Sequence, residues 1–248
     1  MLVLANQGVI EGVDAALFSN VGDDSEHPAT LEYVRQWAMP ESIIPVHELN
    51  KVKRDGTIET LWGRIMDPNL KCENIPVRMP NGAPGTRGCT GDFKVKVLGK
   101  WLKANGASAD NPATMCVGIS TDEIQRVNPK RANPYEILTY PLIDLGLDRS
   151  ACAKIITDYG WPLPHKSSCF FCPYHRDSVW AEMRRDEPDL FNKSVALEAK
   201  LNRSRESRGK HQVYLTRHGK PLDQAIGEAQ DMLPLIDWGS CDSGHCMT

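Results

Sequence analysis

Val13-Asp14-Ala15-Ala16-Leu17-Phe18-Ser19-Asn20 reads as a short buried strand that ends in polar residues. Asp23, Asp24 and Ser25 follow as candidate helix caps. Leu31, Val34 and Trp37 then recur at helical spacing over Ala29 to Ala38. The same alternation continues along the chain. Ile43 to His47 reads as a second strand. Asp92 to Ala104 reads as a helix with Phe93, Val97, Leu98, Trp101 and Leu102 on one side. Met115 to Ser120 is a third strand, running into Thr121-Asp122-Glu123. Glu136 to Tyr140 is a fourth, closed by Pro141, and Ser150 is placed to cap a helix through Tyr159. Strands alternating with helices predict an α/β fold, a mostly parallel sheet with helices on both faces. Ligands of such sheets sit at the carboxyl ends of the strands. Asn20 and the Ser120 to Glu123 cluster fall there.

Between these elements, residues 51–91 read as irregular and rich in Pro and Gly, and a loop that long is uncommon unless functional. Its end, Gly82 to Gly91, either cradles a phosphate through backbone N–H groups or serves as a flexible connector. Arg87 and Lys94 are its candidate anion ligands. Beyond Cys172 the character changes. Asp177 to Arg185 and Leu190 to Asn202 read as helices divided at Pro188. Residues 200–220 set seven Lys and Arg against one acid, Glu206. The chain therefore divides into an α/β unit, residues 1–175, and a helical basic extension with a cysteine-containing tail, residues 176–248.

At 248 residues the chain can bury a core of its own. A net charge of −3 excludes a uniformly basic nucleic-acid binder and leaves room for a local basic patch. No apolar run reaches membrane-spanning length, and the start lacks the basic segment of a signal peptide. The expected setting is the cytoplasm.

The eight cysteines suit metal binding or catalysis better than a disulfide framework in a reducing compartment. Cys116 and Cys152 lie in apolar surroundings and read as small buried hydrophobes, whereas Cys72 lies in a polar stretch and fits either class. Ser168-Cys169-Phe170-Phe171-Cys172-Pro173-Tyr174-His175 brings two thiolates within reach of one metal ion or cluster. Cys89, just before a helix, is a third ligand candidate, since helix N-termini stabilise thiolates. Cys241, Cys246, His245 and His175 are candidates for the fourth. The spacing is compatible with zinc and with iron–sulfur. Asp122 and Glu123 either orient a ribose or Mg²⁺, or cap the next helix as solvated acids. Arg126, Lys130 and Arg131 either counter a phosphate or form a solvated face. The 200–220 stretch either holds tRNA or DNA through salt-sensitive phosphate contacts, or is a solvated helix face.

Taken in order, five pieces resemble the phosphoadenosine phosphosulfate (PAPS) reductase family of the adenine nucleotide alpha-hydrolase-like, or PP-loop, superfamily. They are Asp14 to Gly22, Cys89-Thr90 with Lys94, Gly118-Ile119-Ser120 with Asp122-Glu123, Tyr140-Pro141-Leu142, and Cys169 to His175. The likeness is greatest to the small reductase-like proteins of bacteriophages and actinobacteria. It implies a Rossmann-like sheet and an adenine nucleotide (ATP, adenosine phosphosulfate or PAPS). It further implies sulfonucleotide reduction or adenylation-dependent sulfur transfer, served by an electron or sulfur donor protein. Cys89, Cys169 and Cys172 are implied as ligands of a [4Fe–4S] cluster, and Asn20, Gly22 and Ser120 as nucleotide contacts. Two departures stand out. Asn20-Val21 replaces the family's Asp-Thr, which removes a charge. The family's first strand and Ser/Gly phosphate loop have no counterpart, because Met1 to Ala5 resembles the helix that follows that loop. The chain is thus expected to be an N-terminally truncated reading of a longer gene, and to bind ATP weakly with little catalysis. The alternative from another class is a zinc-stabilised, non-catalytic nucleic-acid-binding protein on the same fold.

Overall fold

Two parallel strand pairs form the β structure of the computed structural model, which describes residues 1–70, 72–127 and 133–227. β1 (Ala16–Asn20) lies along β2 (Val46–Asn50), with Ala16 opposite Val46 and Asn20 opposite Asn50. β3 (Ala113–Cys116) lies along β4 (Glu136–Thr139), with Ala113 opposite Glu136. The molecule is mixed α/β, and its strands form two separate two-stranded sheets among the described residues. The strand expected over Val13 to Asn20 is shorter and less buried than its apolar content predicts. Ala16, Leu17 and Phe18 are only half-buried, because among the described residues β1 pairs with a strand on one edge alone. The second strand runs later than expected and the third starts and stops earlier. Pairing sets these ends: β4 stops before Pro141, so β3 has no partner beyond Val117, whose N–H donates to the Thr139 carbonyl at 2.9 Å.

The helices follow local signals. α1 (Leu2–Asn6) opens the chain. α2 (Pro28–Tyr33) has Pro28 in its first turn and His27 as cap, with Nδ1 accepting from the Ala29 N–H at 3.3 Å. It continues through a π-helical turn, Val34–Ala38, into α3 (Met39–Glu41). Residues 51–91 are not wholly irregular. α4 (Leu61–Met66) forms there because the Thr60 hydroxyl caps the Gly63 N–H at 2.9 Å and Leu61 and Ile65 are fully buried. α5 (Gly88–Thr90), a π-helical turn (Gly91–Val95) and α6 (Lys96–Ala104) run on as one helical stretch. It therefore begins before the expected Asp92. α7 (Pro141–Asp144) and α8 (Arg149–Asp158) follow; Asp148, rather than Ser150, caps α8 by accepting from the Ala151 N–H at 2.7 Å. α9 (Asp177–Asp186) and α10 (Pro188–Glu206) divide at Pro188 as expected, and α11 (Leu222–Ala225) is the last described helix.

The main apolar cluster lies away from the strands. It joins Val21, Leu61, Ile65, Phe93, Phe170 and Phe171 to Trp180, Phe191, Leu197 and Leu215. It therefore draws on both sides of residue 175. Cys116 and Cys152, expected as buried hydrophobes, are only half-buried, and Cys72 is exposed. No described helix is long and apolar enough to cross a membrane.

Candidate functional site

The segment after β1 and the Cys-x-x-Cys turn are laced together by backbone. Glu26 and Cys169 form an antiparallel bridge. The His27 N–H donates to the Ser168 carbonyl at 3.0 Å and the Phe170 N–H to the Ser25 carbonyl at 3.2 Å. The turn closes on itself, with the Cys172 N–H donating to the Cys169 carbonyl at 3.1 Å. Phe170 and Phe171 meet edge-on at 4.9 Å, and Trp62 packs 5.5 Å from each ring. These rings screen the turn from water.

Cys89, 80 residues before Cys169, enters the same neighbourhood in the first turn of the α5–α6 stretch. Cys89 and Cys169 both pack against the apolar cluster. Burial pushes all three thiols up, Cys169 furthest; Glu26, Cys172 and Cys89 push Cys169 further, and Cys89 pushes Cys172. Burial therefore overrides the acidifying influence expected for Cys89 at a helix start. Arg87 opposes it at Cys89 and Cys172, and Lys94 at Cys89 and Cys169. Three such thiols are the donor chemistry of zinc or iron–sulfur sites, and binding would displace their protons. Among the described residues, however, no group of three or more His, Cys, Asp or Glu stands at metal-binding geometry. The proposed fourth ligands divide. His175 is buried, with Nε2 3.0 Å from the Ser168 hydroxyl and Nδ1 unpartnered, and burial pushes its pKa down to about 3. Cys241, His245 and Cys246 lie outside the described residues, as do Lys130 and Arg131.

At the carboxyl end of β1, Asn20 is buried and fully engaged. Its amide donates to Asp23 Oδ1 and Glu48 Oε1 at 2.7 Å each, and its Oδ1 accepts from the Gly22 N–H at 2.8 Å. Arg35 forks across the same two acids, 2.8 Å from Asp23 and 2.7 Å from Glu48. Hydrogen bonds from Arg35 hold both carboxyls below their ordinary range. Gly22 has φ 127°, a conformation that L side chains rarely adopt.

At the end of β3, Ser120 is buried and its hydroxyl faces Asp122 Oδ2 at 3.4 Å. The same Asp122 oxygen accepts the Arg149 N–H at the start of α8 at 2.7 Å. Glu123 is buried, not solvated, and pairs with Arg126 and Arg149. Both acids thus fix α8 onto the end of β3.

The Gly82 to Gly91 segment starts in a tight hairpin rather than an open connector. The Met79 N–H donates to the Ala83 carbonyl and the Gly82 N–H to the Met79 carbonyl, both at 2.8 Å. Arg78 pairs with Tyr214 across an antiparallel bridge. The guanidinium groups of Arg78 and Arg87 lie 5.2 and 5.5 Å from the Tyr174 ring, just beyond the Cys-x-x-Cys turn. Burial pushes the Glu26 carboxyl up, against the pull of nearby Lys94, and one of its oxygens is unpartnered. Arg78 and Glu26 carried no sequence signal, and only the fold brings Glu26 beside Cys169 and Arg78 over the Tyr174 ring.

The basic stretch divides: Arg203, Lys210, Arg217 and Lys220 are exposed, while Lys200 and Arg208 are half-buried and Arg205 is buried. Arg205 is buried and pairs with Glu73 at 3.0 Å, Arg208 reaches the same carboxylate at 3.3 Å, and Lys200 donates to the carbonyls of Ile65 and Asp67. Arg217 stands 4.0 Å from Asp177. The chain matches no family model, no curated protein and no solved structure.

Proposed function

We propose that this chain is a PAPS reductase-like protein with a Rossmann-like ancestry of fold. In this reading it binds an adenine nucleotide across the carboxyl ends of β1 and β3 and handles sulfur at the adjoining cysteines. The observation that carries this reading is the convergence of Cys89 with Cys169 and Cys172, flanked by Arg87 and Lys94. Cationic groups beside soft donors are what a sulfated or phosphorylated nucleotide and a thiophilic metal both require. Cys89, Cys169 and Cys172 would hold a [4Fe–4S] cluster, or zinc, and the cluster would supply soft Lewis-acid or electron-transfer chemistry. Asn20 and Gly22 would form the nucleotide's floor through the loop they shape. Ser120, Asp122 and Glu123 would form the opposite rim, with Asp122 the candidate for Mg²⁺. The zinc-stabilised nucleic-acid binder keeps Arg203, Lys210, Arg217 and Lys220 as exposed cations, and it is less well supported because Arg205, Arg208 and Lys200 are tied to partners within the chain.

The test is the iron, sulfide and zinc content of anaerobically purified protein, read beside binding of ATP, adenosine phosphosulfate and PAPS. About four irons and four sulfides per chain, lost in Cys169→Ser, supports the reading. Roughly one zinc and no sulfide makes the thiols structural. Protein free of metal that binds none of the three nucleotides overturns it.

A further inference from the structure

Two arginines are buried among the described residues, Arg78 and Arg205, each 8 % exposed. Arg205 has the Glu73 carboxylate at 3.0 Å. Arg78 has no acid among the described residues. Its Nε is buried without a partner, and its side chain's one hydrogen bond there is a 3.5 Å contact from Nη1 to the Gly82 carbonyl. A guanidinium does not shed its charge as a buried lysine can, so its burial without a counter-ion is strongly unfavourable. The buried Tyr174 ring lies 5.2 Å from the Arg78 guanidinium and offsets part of that cost. A second guanidinium, that of Arg87, stands 5.5 Å from the same ring. It too has no carboxylate partner among the described residues. Two like charges gathered at one ring repel, and no described acid neutralises either.

The backbone holds Arg78 in this position. Its N–H donates to the Tyr214 carbonyl at 2.7 Å, and its carbonyl accepts from the Tyr214 N–H at 2.8 Å. It also bridges to Pro84 across the hairpin. At the hairpin's tip, a Cβ on Gly82 would stand 3.1 Å from the Arg217 carbonyl oxygen, so the tip is pressed against that segment. Arg87 lies on the side of the Cys-x-x-Cys turn, near enough to favour ionisation of Cys172.

We infer that Arg78, Arg87 and Tyr174 form a seat for a tetrahedral oxoanion, a phosphate or sulfate group, beside the Cys-x-x-Cys turn. Tyr174 holds the two guanidiniums, and their N–H forks donate to the anion's oxygens. The planar fork matches the oxygen spacing of such groups. A doubly charged oxoanion neutralises both arginines at once, which a single carboxylate does not. The seat does not depend on the nucleotide or metal reading, because inorganic phosphate by itself is its probe.

The test is calorimetric titration of the full chain with inorganic phosphate and with sulfate, beside melting curves at constant ionic strength. Phosphate at about ten times its dissociation constant should raise the parent's melting temperature by at least ~3 °C, and KCl should not. Arg78→Met and Arg87→Met should each weaken phosphate at least ~10-fold, whereas Arg203→Met, at an exposed position, should leave it unchanged. Without phosphate, Arg78→Met should melt no lower than the parent, since apolar volume replaces an uncompensated charge. A purely structural Arg78 would make that variant melt lower. If Arg78→Met fails to fold, Arg87→Met and the parent's own titration still decide. Adenosine 3′,5′-bisphosphate and adenosine 5′-monophosphate separate the sources of the anion. A preference for the bisphosphate that both variants lose supports the seat as one for a nucleotide's phosphate. Equal binding of bisphosphate and inorganic phosphate supports it as one for the free oxoanion. No response to phosphate or sulfate, or a response that both variants keep, would overturn the inference. So would binding of single-stranded RNA with no response to any of these small anions.

Discussion

Gly22 shows how much one missing methyl group decides. A Cβ at its position would stand 2.5 Å from Thr60 Cβ and 2.6 Å from Asp24 Oδ1, at φ 127°. Gly22→Ala should cost at least ~1 kcal/mol and loosen the Asn20–Gly22 turn. A urea midpoint equal to that of the parent would show that the turn is not held this way. Glu198 makes a pH-dependent contribution. Its carboxyl accepts the N–H groups of Leu215 at 2.6 Å and Leu222 at 2.8 Å, yet burial dominates and pushes its pKa up to about 7. Between the ordinary value of 4.5 and about 7, the folded state keeps a proton that the unfolded state has lost. The contribution is thus complete below the ordinary carboxylate range and is lost as pH rises through about 7. The parent should lose stability relative to Glu198→Gln as pH rises through that window, as read from denaturant melts at several pH values. Parallel pH profiles would remove Glu198 from this role. Neither residue is conspicuous in the sequence. Glycine's need is set by Thr60, and the glutamate's by two amides that lie beyond the end of its helix.

At the scale of elements, α10 separates charge from surface. The sequence presents Arg203 and Arg205 as members of one basic run, but Arg203 is exposed and Arg205 is buried against Glu73. Removing one partner of a buried pair leaves the other charge uncompensated. Arg205→Ala should therefore cost ~3–5 kcal/mol, and Arg203→Ala should stay within ~0.5 kcal/mol, both measured by chemical denaturation. Similar costs for the two would mean that the Glu73 pair is not buried in solution. α10 itself was legible, because Pro188 in its first turn and a long periodic run announce it. α4 was not. Leu61 to Met66 is short and contains Gly63, and it is helical because Thr60 caps it and the core takes Leu61 and Ile65. β1 to β4 were legible as strands, but their ends were not, since ladder partners rather than composition set them.

On the scale of the whole molecule, the apolar cluster joins what reads as two units. Trp180, Phe191, Leu197 and Leu215 pack with Phe93, Phe170 and Phe171. A chain ending at residue 175 should consequently lose cooperative unfolding, followed by circular dichroism on heating. A sharp transition in that shortened chain would establish residues 1–175 as an independent unit. The alternation of apolar runs, caps and breakers determined by itself that this protein is built of strands alternating with helices, and that Cys169 and Cys172 share a turn. Those are local matters, settled by residues a few positions apart. Only the tertiary structure decided that Cys89 joins that turn and that the acids after β3 hold α8. It alone drew Arg205 and Arg208 out of the basic run onto Glu73 and left a cleft between two strand pairs. Each of these rests on contacts between residues far apart in the chain, and such contacts leave no period or spacing to read.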